Sequence, residues 1–95
     1  MEPIGKVTAT LTAEDSFSDP IAMRKGGFSF SLSGISGDTV HLQRSVDQGE
    51  NYVDVGYYTE DGWFPGNEPS HGTLWRFGIK TGNYGAGTVI GIISF

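Results

Sequence analysis

From Phe28 to Leu32 every second residue is apolar and the residues between are serines: Phe28, Ser29, Phe30, Ser31, Leu32. A period of two puts the apolar side chains on one side of an extended chain and the hydroxyls on the other, the pattern of a β-strand with one buried face. The same period recurs at Val7, Ala9, Leu11 and Ala13 against Lys6, Thr8, Thr10 and Thr12. It returns at Val40, Leu42 and Arg44 against Thr39, His41 and Gln43, again from Tyr52 to Tyr58, and at Trp75, Phe77 and Ile79 against Arg76 and Lys80. No stretch holds an uninterrupted helical period, and fifteen glycines supply tight turns between these runs. The expected fold is all-β, a small antiparallel β-sandwich, jelly-roll-like or immunoglobulin-like, with about six strands and one long loop. At 95 residues the chain fills one domain, 1–95. Residues 1–5, with Pro3 and Gly5, have the composition of a flexible arm.

Two segments break the alternation. "EDSFSDPIAMRKGG" is punctuated by Asp19-Pro20 and Gly26-Gly27 and is expected to be a crossover loop with room for one helical turn. "TEDGWFPGNEPSHG", rich in Gly, Pro and acids, is longer than a neutral connector and is expected to be a contact loop, with Trp63 and Phe64 as its shell or ligand contacts. The final run, "TVIGIISF", differs in kind, because Ile90 and Ile92 fall on one face and Val89, Ile93 and Phe95 on the other. A strand apolar on both faces needs two covers. One is the domain core; the other is the long loop or a neighbouring subunit, of which a subunit is favoured, with Val89, Ile93 and Phe95 as the self-association residues.

Six basic residues are scattered against eleven acidic ones for a net charge of −5, so there is no cationic footprint for nucleic acid. The absence of cysteine excludes disulfides and thiolate metal sites. No apolar run approaches a membrane span, and "MEPIGKVTAT" lacks a signal-peptide pattern, so the chain is expected to be made in a cytoplasm and left there or assembled there.

Candidate chemistry is sparse. His41 lies mid-strand and His71 in the long loop, without triad or metal-ligand spacing. His71 near Glu60, Asp61 and Glu68 could be drawn as a carboxylate metal pocket, but a solvated turn accounts for the same residues. Glycoside hydrolysis needs two acids on a preorganised scaffold, whereas the acids here, Asp47 and Glu68 among them, fall mostly in loops. The chain is therefore expected not to be an enzyme, and to use no cofactor and no metal. Exposed aromatics beside the acidic loop, Tyr57, Tyr58, Trp63 and Phe64, leave carbohydrate binding as an alternative.

"SVDQGENY", Ser45 to Tyr52, follows Ser-x-Asp-x-Gly-x-(Thr/Asn)-(Trp/Tyr) and resembles the Asp-box turn of sialidase-type β-propellers. A chain without internal repeats cannot form a propeller, so the motif is expected to be a hairpin clamp built on Ser45, Asp47, Gly49 and Tyr52. Taken in order, "GGFSFSLSG", "DTVHLQRSVDQGENY", "EPSHGTLWRF" and "GAGTVIGIISF" resemble a group of small virion proteins of tailed bacteriophages. Asn51-Tyr52 stands where that pattern has Thr-Trp, and the last strand is more apolar than the pattern implies. The resemblance implies a structural virion protein on the capsid surface or tail, most of all a capsid decoration or cement protein. Its partners would be the major capsid protein or other virion proteins and copies of itself. A small tail, fibre or head-tail-junction domain, or a carbohydrate-binding receptor module, is the alternative.

Overall fold

The computed structural model describes residues 5–95. Nine strands follow one another: β1 Lys6–Leu11, β2 Ser16–Phe17, β3 Ile21–Met23, β4 Gly26–Ser33, β5 Val40–Ser45, β6 Val53–Tyr58, β7 Gly62–Glu68, β8 Thr73–Ile79 and β9 Val89–Ser94. They form two antiparallel sheets, one ordered β1-β9-β4-β7 and the other β2-β8-β5-β6, with β3 also on β8. Because β2 and β3 lie along the same strand, they act as one interrupted strand, and the two four-stranded sheets have jelly-roll topology.

The alternation read from the sequence builds the core directly. Phe28, Phe30 and Leu32 of β4 and Val89 and Ile93 of β9 point inward from the first sheet. Val40 and Leu42 of β5 and Trp75, Phe77 and Ile79 of β8 meet them from the second. Phe30 sits at the centre, with ring centroids of Phe77 and Tyr58 both at 5.3 Å. Gly91 is the inward position of β9 facing Phe77, and a Cβ there would collide with that ring, so the glycine lets the two sheets close.

Three expectations need correction. The crossover segment holds no helical turn but the short strands β2 and β3, broken at Asp19-Pro20. Proline cannot donate to the ladder, and at the break the Ser18 hydroxyl accepts the Phe77 N–H at 3.1 Å in place of a backbone carbonyl. The long loop is largely strand β7, paired with β4 from Gly26↔Glu68 to Leu32↔Gly62. Its pattern was masked because Gly62, Pro65 and Gly66 read as turn residues, although an edge strand tolerates them. The count of about six strands rises to nine for the same two reasons.

Of the arm expected over 1–5, residues 1–4 lie outside the described residues. Gly5 is tied in, since its carbonyl accepts the Phe95 N–H at 2.8 Å.

Candidate functional site

The Asp-box hairpin joins β5 to β6. Ser45, 1% exposed, donates its hydroxyl to Asp47 Oδ1 at 2.7 Å and accepts the Gly49 N–H at 2.9 Å. Asp47 in turn accepts the Asn51 backbone N–H at 2.9 Å and the Asn51 side-chain amide at 2.8 Å. These donors, the Ser45 hydroxyl first and the Asn51 amide next, hold the Asp47 carboxyl down at about 2. Gln48 (φ 61°) and Gly49 (φ 90°) take left-handed conformations in succession, and only glycine does so without strain. Tyr52 lies with its hydroxyl near Gly49 and its ring under Arg76, whose Cζ is 3.9 Å from the ring centroid.

All four residues of the motif are thus consumed in holding the turn. Replacing Asp47 with alanine should lower the melting temperature by a few degrees and shift the β5–β6 turn resonances, with the far-UV spectrum unchanged. An unchanged melting curve would remove the clamp role.

Two buried carboxylates close the ends of the sandwich. Glu68, 0% exposed at the end of β7, accepts five hydrogen bonds. Arg44 donates Nε to Oε1 and Nη2 to Oε2, both at 2.8 Å. Thr73 Oγ1 (2.6 Å) and Trp75 Nε1 (2.8 Å) donate to Oε1, and the Ser70 N–H (2.8 Å) to Oε2. The Arg44 guanidinium, with Thr73 and Trp75 behind it, outweighs burial and lowers the Glu68 carboxyl to about 2. The partner is affected reciprocally, the Arg44 pKa being raised by the bond to Glu68.

At the opposite end Asp38, 1% exposed, accepts the N–H groups of Ser36 and Gly85 at 2.8 Å and of Gly87 at 3.1 Å. It joins the β4–β5 connection to the β8–β9 connection. Glu68, with five donors, has its acceptor capacity filled, and Asp38 spends three acceptor positions on backbone N–H groups, so both carboxylates are engaged by the fold itself.

The metal pocket drawn around His71 does not assemble. Glu68 is turned inward to Arg44, while His71 Nδ1 accepts the Lys25 N–H at 3.5 Å and Asp61 Oδ1 accepts the Ile35 N–H at 2.9 Å. Among the described residues no three His, Cys, Asp or Glu side chains converge at metal-holding distance.

The outer faces of the two sheets differ in their polar groups rather than in exposed apolar side chains, since Val53, Val55 and Tyr57 of β6 are exposed as well. On the β2-β8-β5-β6 sheet the polar groups bind one another. Lys80 donates to Asp54 (2.8 Å), Gln43 Nε2 donates to Asp54 (2.9 Å), and Arg76 Nε donates to Gln43 Oε1 (2.8 Å). The Arg76 guanidinium lies between the rings of Phe17 and Tyr52. Lys80, then Gln43, lowers the Asp54 carboxyl.

The outer face of the β1-β9-β4-β7 sheet has no such network. Its outward residues run Thr10, Ile90 and Ser33 in one row and Thr8, Ile92, Ser31 and Trp63 in the next. A third row is Lys6, Ser94, Ser29 and Pro65, with Ser29 and Ser94 hydroxyls 3.1 Å apart. Trp63 is 64% and Ile90 42% exposed. In these four strands the charged residues are Lys6, at a corner, and Glu68, which is buried.

This geometry corrects the reading of the last strand. Val89 and Ile93 are 0% exposed in the protein's own core, and Phe95 is half-buried with Arg24 stacked at 4.9 Å from its ring centroid. Val89 and Ile93 are therefore not free for self-association, and Phe95 keeps only part of its ring exposed. Periodicity showed that both faces of β9 are apolar but not which faces the core, and Gly91 and Phe77 decide that. The open apolar face is that of Ile90 and Ile92. Trp63 stands out to solvent as expected of a contact residue. Phe64 is half-buried and packs on Tyr58, 4.4 Å between centroids. Between the edges β6 and β7 it lines a cavity of about 150 Å³ with Phe28, Phe30, Tyr58 and Trp75.

No protein-family model matches the chain, and no curated protein sequence matches it. Among solved structures the fold is similar to the Yersinia pseudotuberculosis-derived mitogen, with a TM-score of 0.51 and 15% identity over 96% of this chain and 77% of that one. At that identity the likeness shows the architecture alone.

Proposed function

We propose that the protein is a non-enzymatic structural virion protein, a capsid decoration or cement protein that bridges and stabilises major capsid subunits through oligomeric contacts. The observation that carries this reading is the outer face of the β1-β9-β4-β7 sheet, which exposes Trp63 and Ile90, with Ile92 half-buried between them, among hydroxyls and almost no charge. A protein of net charge −5 that collects its charges elsewhere and leaves one sheet face nearly uncharged, with short hydroxyl side chains around a few apolar ones, has a surface suited to lying against another protein. The two buried carboxylates, Glu68 and Asp38, are spent on holding the fold, which agrees with a non-enzymatic reading. Jelly rolls serve in viral capsid and lectin domains, an analogy of architecture that agrees with the reading without carrying it.

The test uses capsids lacking the protein, to which it is added back. The wild-type protein should bind in hundreds of copies and raise resistance to heat and EDTA. Trp63→Ala, altering an exposed side chain, should fold normally and bind at least about ten-fold more weakly, as loss of an exposed aromatic anchor does. Capsids that are equally resistant with and without the protein would sink the reading.

A carbohydrate-binding receptor module is the second reading, favoured by the same exposed indole beside the Ser31 hydroxyl. Glycan binding by the isolated protein, lost in Trp63→Ala, would replace the first.

A further inference from the structure

The open sheet face has relief. Ile90 and Ile92 form a ridge along β9, the short side chains of Ser29, Ser31 and Ser33 form a trough along β4, and Trp63 and Pro65 form a second ridge along β7. Ridge and trough are neighbours at the centre of the four-strand order, one strand spacing apart.

We propose that this face closes on a second copy of the chain, about a twofold axis that runs along the strands midway between β9 and β4. Rotation about that axis lays β9 of each copy over β4 of the other. The isoleucine ridge then fills the serine trough twice, with Ile92 over Ser31 and Ile90 over Ser33, and Thr8 meets Trp63. An axis across the strands would set ridge upon ridge and leave both troughs empty, so shape selects the first. Such a contact is isologous and closes as a pair.

The fit of ridge to trough selects a second copy as the occupant, and charge permits it. Two chains of net charge −5 repel each other wherever their acids approach, and this face is where they do not, since its described strands present Lys6 alone. Four strands at about 4.8 Å spacing and six rows at about 3.4 Å give a plan of about 400 Å². With side-chain relief that comes to roughly 1,000 Å² buried over both copies, the lower end for a specific interface. The pair is therefore weak in dilute solution and is reinforced where many copies are held close together. The inference rests on the reading of this face as a contact surface; it seats Trp63 between the two copies, so capsids meet other faces of the pair, and the weaker capsid binding of Trp63→Ala follows from loss of the pair.

Sedimentation of the full chain from about 10 to about 300 μM tests it, micromolar dissociation being the range such an area supports. Wild type should show a monomer–dimer equilibrium. Ser31→Glu and Ile92→Lys, each at a solvent-facing position and each checked for native circular dichroism, should be monomeric. Their equimolar mixture should dimerise again, because the introduced carboxylate opposes the introduced ammonium at one contact while the other contact stays native.

A wild-type protein monomeric throughout would overturn the proposal. So would dimers that survive both single variants, or a mixture that stays monomeric while wild type dimerises. Capsid binding is scored separately: a dimer that ignores capsids sinks the virion role and leaves the pair standing, and a monomer that coats capsids does the reverse.

Discussion

Glu68→Ala is expected to remove much of the stability of the fold. The substitution leaves the Arg44 guanidinium, the Trp75 indole N–H, the Thr73 hydroxyl and the Ser70 N–H facing an apolar gap. Thr73 and Trp75 are each 3% exposed, so water cannot replace the lost acceptor. Removing one member of a buried ion pair costs about 3–5 kcal/mol, against a total of about 5–15 kcal/mol for a domain. At about 4–8 °C per kcal/mol for this size, thermal melts should fall by about 15 °C or more. Glu68→Gln keeps the volume and one acceptor and should lose less. A melting temperature within about 3 °C of wild type for the alanine variant would refute the clamp.

The same residue sets a pH dependence. Its folded-state pKa, about 2, lies below the ordinary 4.5, so its stabilisation is complete above about pH 4.5 and is lost as pH falls toward 2. Asp47 acts in the same direction between 3.8 and about 2. Acid titration of wild type should show stability falling through that window, and Glu68→Gln should flatten the slope.

Asp38→Ala should have the second-largest effect, at the other end of the sandwich. It strips the acceptor from three backbone N–H groups, of which that of Gly87 is buried, at a cost of about 2–4 kcal/mol. The effect should be local before it is global. Hydrogen exchange at Gly85 and Gly87 should accelerate strongly while the Trp75 indole, at the Glu68 end, keeps its protection. Wild-type exchange at the two glycines would contradict the role given to Asp38.

Much of the fold was legible because a period of two survives in β1, β4, β5 and β8, and the Asp-box spacing named its own turn. β7 was hidden because an edge strand can hold Pro65 and two glycines without losing its pairing to β4, and those residues read as loop. The role of Glu68 was hidden for a related reason: its partners Arg44, Thr73 and Trp75 come from two other strands, and no local pattern announces an ion pair between sheets. Asp38 carried only the faint signal of an acid before a strand, and its partners lie 47 and 49 residues away. The contact face was half legible, since the double apolarity of β9 was plain and its orientation required the packing of Phe77.

The strand order also governs how the chain reaches this state. Apart from β5 and β6, no two successive strands are hydrogen-bonded neighbours, and the first strand pairs along its whole length with the last. During synthesis the Asp-box hairpin can form early, whereas the β1-β9-β4-β7 sheet has no centre until β9 has emerged. Closing loops of that length before contacts form makes folding slow, on the order of milliseconds to seconds. Once formed, β9 cannot peel away without parting from both β1 and β4, so the finished protein should open slowly as well.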